Sequence, residues 1–163
     1  MELPWSAADA PSAGLDDRDA YVMASRFELT SAWRSPAFLA QAIRVWRQAR
    51  RSPGVLGVSL RAQLLRRTYW TLSVWTDEAA LRTYARTDPH RTVMRRVRPW
   101  ARTATFRFWT VPAGELASAA APARLWAEAE RRIGAAAADA GQQDTAAGRR
   151  GTDTGNERRD AVS

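Results

Sequence analysis

The chain holds a single histidine, His90, and no cysteine. One side chain can therefore take up a proton near neutral pH without special surroundings. His90 stands three, four and seven residues ahead of Val93, Met94 and Val97, so in a helix it shares their apolar face. Arg91, Arg95 and Arg98 take the opposite side. A ring aimed inward from such a face can serve as a general base or as an iron ligand, or it can be a packed core residue. Few partners are on offer. Arg26 lies within an alternating apolar segment. It can hold a phenolate or propionate by charge-assisted hydrogen bonds if it turns toward the helices, or pair with Glu28 on the surface. Trp75, at the end of another apolar run, is either core or pocket wall. Tyr84 precedes His90 by six residues, a spacing that a straight helix does not align, but Asp88-Pro89 breaks the helix between them. Met94 fits the core and is at most a weak axial ligand. With this inventory, disulfides, cysteine nucleophiles and thiolate or multi-histidine metal sites within one chain are excluded.

These residues need elements to position them. Tyr21 to Leu29 alternates at period two and predicts a strand. Ser35-Pro36 opens a helix whose buried stripe is Phe38, Leu39, Ala42, Ile43, Trp46 and Ala49, with Gln41, Arg44, Arg47 and Gln48 toward water. Ser52-Pro53-Gly54 ends it. Val55 to Ala62 and Tyr69 to Trp75 predict a hairpin, and Thr76-Asp77-Glu78 starts a second helix. Asp88-Pro89 interrupts and restarts that helix, which ends near Arg98-Pro99. Thr103 to Val111 is the last predicted strand. Strand, helix, strand, strand, helix, strand is the ferredoxin-like order, an α+β fold with one antiparallel sheet and two helices on one face. The other face is then bare and apolar, which predicts a homodimer through it, with Phe27 placed on that surface.

Length gives room for one domain, residues 21–112, and tails: 163 residues in all. Residues 1–20 are acidic and Pro/Gly-punctuated and read as a disordered tail. Residues 113–140 contain an Ala-rich stretch able to form a helix from Pro122 to Asp139, and 141–163 read as a second disordered tail. A fragment of residues 18–114 is thus expected to carry the fold. The formal charge of +8 is uneven, since residues 21–112 hold 17 arginines against four acids and the chain has no lysine. Those arginines fall on outer helix faces and follow no nucleic-acid-binding motif, so nucleic acid is not the expected partner. No apolar run nears the roughly 20 residues of a membrane span. The first residues have neither the basic nor the apolar region of a secretory signal, and a cytoplasmic protein is expected. A G-x-G-x-x-G phosphate loop for flavin or nicotinamide is absent.

Ser73 and Trp75 ending the third strand, the D-E-A-A-L helix start and the P-H-R-x-V-M-R-R segment (Pro89 to Arg96) resemble the antibiotic-biosynthesis-monooxygenase-like branch of the dimeric α+β barrel superfamily. More loosely, they are similar to spheroidene monooxygenase-type proteins. The resemblance covers about Tyr21 to Pro112. It implies a homodimer with a cavity between sheet and helices, taking an aromatic, polyketide-like, polyene or tetrapyrrole ligand. It also implies an oxygenase that is cofactor-independent or haem-dependent. Trp75 matches the family's tryptophan at the opening of the second helix, and His90 a polar position on its inward face. Arg26 stands where the haem-degrading branch has an asparagine, and that branch's haem-ligating histidine would fall at about Met94; both are departures. The expectation is a monooxygenase using His90 and Arg26 as catalytic groups, with Trp75, Tyr84 and Met94 against the substrate and no metal site. A non-catalytic dimer that binds haem or another small ligand in the same cavity is the alternative.

Overall fold

A computed structural model describes residues 1–7 and 18–153, with side-chain surroundings as far as residue 139. Five strands and four helices follow in the order β1 (Glu2–Ala7), β2 (Asp19–Leu29), α1 (Ser35–Ala49), β3 (Val55–Gln63), β4 (Thr68–Trp75), α2 (Glu78–Arg86), α3 (His90–Val97), β5 (Ala101–Pro112) and α4 (Ala121–Asp153). The sheet order is β1-β3-β4-β2-β5 and every pairing is antiparallel. From β2 to β5 this is the ferredoxin-like α+β fold that the alternation predicts. The second predicted helix is two, α2 and α3, separated at Asp88-Pro89.

Strand parity decides what meets what. β2 pairs with β4 on one edge and β5 on the other, so it is an interior strand whose two faces meet different helices. Tyr21, Met23, Ser25 and Phe27 face α1, α2 and α3, while Ala20, Val22 and Ala24 face away from them. The α1–β3 turn requires a glycine at 54. Its φ is +79°, and a Cβ there would stand 2.6 Å from the Ala80 Cβ. Asp77, rather than the Thr76 hydroxyl, caps α2 by accepting from the Ala80 N–H at 2.8 Å. Ser35 is the first residue of α1 and its hydroxyl caps nothing.

Three expectations need correction. The N-terminal segment is not all tail: residues 2–7 add a strand to the open edge of β3, with Glu2 opposite Arg61 and Leu3 opposite Leu60. The Met1 ammonium donates to the Ala62 carbonyl at 2.8 Å and Glu2 pairs with Arg61 at 3.0 Å. Pairing with an existing edge supplies the backbone hydrogen bonds that a lone six-residue strand cannot supply for itself. The rest of the expected tail, residues 8–17, lies outside the described residues. At the other end, α4 continues through Gly141 to Asp153, although each glycine costs a helix about 1 kcal/mol relative to alanine. Residues 154–163 of the second expected tail lie outside the description.

The third correction matters most. The face expected to be bare carries α4, whose Leu125, Trp126, Ala129 and Ile133 are buried on Ala20, Val22, Ala24, Leu72, Val74 and Trp109. Ala20 and Ala24, both fully buried, leave room for the helix to approach. Phe27 is on the opposite face, 5.6 Å from Phe38 and buried, so a charge placed there would break the core. A fragment of residues 18–114 would lack both β1 and α4 and would expose the face that α4 covers. Among the described residues, no helix is long and apolar enough to cross a membrane. Ile133, 1% exposed, measures how much the covering helix contributes. Ile133→Ala is expected to destabilise the full chain by about 2–5 kcal/mol in urea titration, the usual cost of emptying a core site. An unchanged midpoint would mean that α4 does not stay on the sheet.

Candidate functional site

A pocket lies between the sheet and the first three helices. Its floor is the helix-facing row of β2, β3 and β4, and its roof is α1 and α3, with Tyr84 of α2 at one side. The enclosed volume is about 90 Å³, and the recess together with its open mouth measures about 720 Å³. The lining is mainly apolar. Its polar groups are the hydroxyls of Ser25, Thr71 and Ser73, the Gln41 amide, the Trp46 indole, Tyr84 and His90, and no charged side chain among the described residues lines it.

His90 is placed by side chains from two helices. Its backbone N–H donates to Gln48 Oε1 at 2.8 Å, and Gln48 Nε2 donates to the Thr87 carbonyl at 3.2 Å. One amide thereby fastens the α2–α3 junction to α1. Asp88 accepts from the Thr92 N–H at 3.1 Å and from its hydroxyl at 2.6 Å, closing the first turn of α3. The Thr92 hydroxyl bond, above all, holds the Asp88 carboxyl below the usual carboxylate range. The imidazole Nδ1 lies 3.0 Å from the Ala85 carbonyl. A carbonyl only accepts, so Nδ1 carries the ring proton and Nε2 keeps a lone pair. Nε2 has no hydrogen-bond partner among the described residues.

Burial depresses the His90 pKa below its ordinary value, and the bond to Ala85 opposes that only in part. The ring is therefore neutral at pH 7 and is a base rather than a cation. It rests on Tyr84 at 4.7 Å between centroids, and Tyr84 rests on Trp75 at 4.9 Å. Trp75 is fully buried and donates its N–H to Ser73 Oγ at 2.9 Å. Burial pushes the Tyr84 phenol far above the usual range, and its hydroxyl reaches toward the Val45 carbonyl at 3.4 Å. Tyr84 consequently stays protonated and shapes the site without titrating.

Of the five expected site residues, the structure brings His90, Tyr84 and Met94 to the pocket. Trp75 stands one layer back, behind Tyr84, and steadies it. Arg26 is elsewhere. It projects from the opposite face of the sheet, over the Trp70 ring at 5.7 Å, and pairs with Glu28 at 3.6 Å. Its strand position is even, and the pocket floor is odd. Gln41 and Gln48, expected to face water, instead line the pocket and clamp its roof. The residues that sequence reasoning passed over are the floor hydroxyls. Ser25 and Ser73 are small polar residues at inward positions of otherwise apolar strands, and that was the available signal.

The lowered His90 pKa has a sign that can be tested. On acidification the unfolded chain takes up the proton near the ordinary value of 6.5, before the folded one does. Stability should thus be greatest above pH 6.5 and decline as the pH falls beneath it, toward the lowered folded value. Urea midpoints on both sides of that pH should fall more steeply with acid for the wild type than for His90→Gln. Equal slopes would place the ring in solvent.

Residues 29–148 match the family described as a domain of unknown function, DUF3291. No curated protein matches the chain. Among solved structures, it is similar to SnoaB, a cofactor-independent oxygenase from Streptomyces nogalater, at 22% identity and a TM-score of 0.50, over 58% of this chain and 94% of that one. An antibiotic biosynthesis monooxygenase is similar at 14% identity and a TM-score of 0.51, over 55% and 95%. A protein from Shewanella oneidensis is similar at 16% identity and a TM-score of 0.53, over 58% and 93%. At these identities the likeness establishes the fold, which is that of the antibiotic-biosynthesis-monooxygenase-like proteins.

Proposed function

We propose, starting from a chain that belongs to the DUF3291 family, that its pocket is the active site of a monooxygenase acting on an electron-rich, hydroxylated aromatic or enolisable substrate. The single observation that carries this is His90, a neutral ring fixed by its Nδ1–H with an unshared Nε2 in an apolar recess. Such a nitrogen can remove a proton from a substrate whose conjugate anion is delocalised. The resulting carbanion reduces molecular oxygen directly. At the reacting carbon two hydrogens leave and one oxygen atom enters as a carbonyl, while the second oxygen atom leaves with those hydrogens as water. The apolar lining keeps bulk water from the anion, and the Tyr84–Trp75 stack fixes the ring that receives the proton.

A haem does not fit this pocket as it is formed. His90 Nε2 could ligate iron, but the enclosed 90 Å³ is below the roughly 150 Å³ that seats one benzene ring. No arginine lines the pocket to pair with propionates, because Arg26 is on the other face. Substrates of several rings can enter by one edge only, with the remainder in the mouth.

The test is oxygen consumption with hydroxylated aromatics. His90→Ala is expected to lose about 10²–10⁴-fold in turnover, the range for a positioned base. Its melting temperature should fall only modestly, because the loss is confined to the Nδ1 bond to the Ala85 carbonyl and the contact with Tyr84. A variant that melts well below wild type yet turns over normally would make His90 a core residue. Ligand binding without any oxygen uptake would instead favour a non-catalytic binder of small molecules.

Self-association is part of the same proposal, on a different surface from the one first expected, since α4 lies there. β5 is an edge strand, and its Phe106 and Phe108 are 36% and 49% exposed. A second copy paired along that edge would cover both rings and border the pocket mouth, which Phe106 lines. Light scattering should find a dimer for the full chain and a monomer for Phe108→Glu. A monomeric wild type removes this proposal.

A further inference from the structure

Deprotonating a substrate creates an anion, and an apolar pocket must offer something to hold it. The cation expected in that role, Arg26, projects from the wrong face of the sheet. With no charged side chain in the lining, only hydroxyl, amide and indole donors remain.

The hydroxyls can be followed proton by proton. Ser25 Oγ and Thr71 Oγ1 are 2.5 Å apart, on adjacent strands and directly opposite in register. Two hydroxyls carry two protons, and one bond between them uses one. Neither oxygen has another acceptor among the described residues, so one O–H is left to donate. Both side chains line the pocket. Thr71 also stays partly exposed although β4 is an interior strand, and its exposure opens to the pocket. Ser25, by contrast, is 1% exposed and stands behind it. Chained hydroxyls of this kind polarise one another, so the outer donor is stronger than a lone threonine would be.

We infer that the Ser25–Thr71 hydroxyl pair is the oxyanion-binding element of this pocket, with Thr71 donating to the substrate and Ser25 donating to Thr71. The inference rests on the reading of the pocket as a substrate site with His90 as base. It narrows the substrate class as well. His90 takes the proton from one position of the substrate, and the electron pair passes through the conjugated system to a second oxygen. That oxygen becomes the anion and accepts from Thr71. The substrate is then a vinylogous acid, with an acidic O–H or C–H and a carbonyl-type oxygen joined by conjugation. It enters the enclosed part of the pocket by its oxygen-bearing edge. A simple unconjugated alcohol satisfies His90 or Thr71 but not both.

4-Nitrophenol is a suitable probe, because its hydroxyl and nitro oxygens are conjugated and its phenolate is yellow. At mildly acidic pH, full-length wild type should bind it and raise the phenolate band. Ser25→Ala/Thr71→Val, which removes both hydroxyls and leaves neither buried and unpaired, should bind the phenolate about 10- to 100-fold more weakly. The same variant should bind uncharged nitrobenzene as tightly as wild type does, which also shows that it is folded. His90→Gln should bind 4-nitrophenol without the yellow band. If the double variant binds phenolate as well as wild type, the hydroxyl pair is structural and the inference fails, while His90 as base stands. If wild type binds neither nitrobenzene nor 4-nitrophenol, the pocket is not a substrate site and the functional reading fails with it.

Discussion

Both faces of this sheet are apolar, and neither can be left to water. That constraint shapes the rest of the molecule. On one side α4 lies over the small side chains of Ala20 and Ala24 and buries its own Leu125, Trp126 and Ile133 against them. On the other side three shorter helices cover the sheet incompletely, because the floor beneath them includes Ser25, Thr71 and Ser73 among its apolar neighbours. Apolar surface is removed from water on both sides at roughly 25 cal/mol per Å², and the mainly apolar recess that holds His90 lies on the three-helix side. The cavity and the groups able to act in it are products of the same incomplete cover.

Holding that cover open in a defined shape requires polar ties. Gln48 supplies two, reaching from α1 to the Thr87 carbonyl and to the His90 N–H. Tyr69 donates to the Ser35 carbonyl at 3.1 Å and ties the start of α1 to β4. The Trp75–Tyr84–His90 stack then carries the orientation of the strand end through to the imidazole. Each contact joins residues from different elements, so the geometry at Nε2 depends on the assembled fold rather than on any local segment.

That dependence explains what could be read in advance. Alternation in β2 and the helical spacing around His90 are local properties, and they predicted the ferredoxin-like order and an inward histidine. The parity of Arg26 was equally visible, opposite to Met23, Ser25 and Phe27. What could not be read was which parity faces the pocket, since both sides of β2 are apolar and α4 had not been placed. Gln48 reaches partners 39 and 42 residues away, and nothing in its own helix marks it. β1 escaped notice for a similar reason. Its six residues are strand only because β3 offers them an edge.

The seat of that first strand is Gly57. Its hydrogen points at the Trp5 indole, and a Cβ there would come within 2.0 Å of the ring. The fit makes one small position the guardian of solubility. A methyl group at 57 would displace the tryptophan, and with it the strand that Trp5 anchors. β3 would then present nine residues of unpaired backbone along an open edge, a template for any other extended chain. The pocket, on the far side of the sheet, need not change at all. The chain would keep its chemistry and lose its colloidal independence, ending in aggregates rather than in an inactive fold.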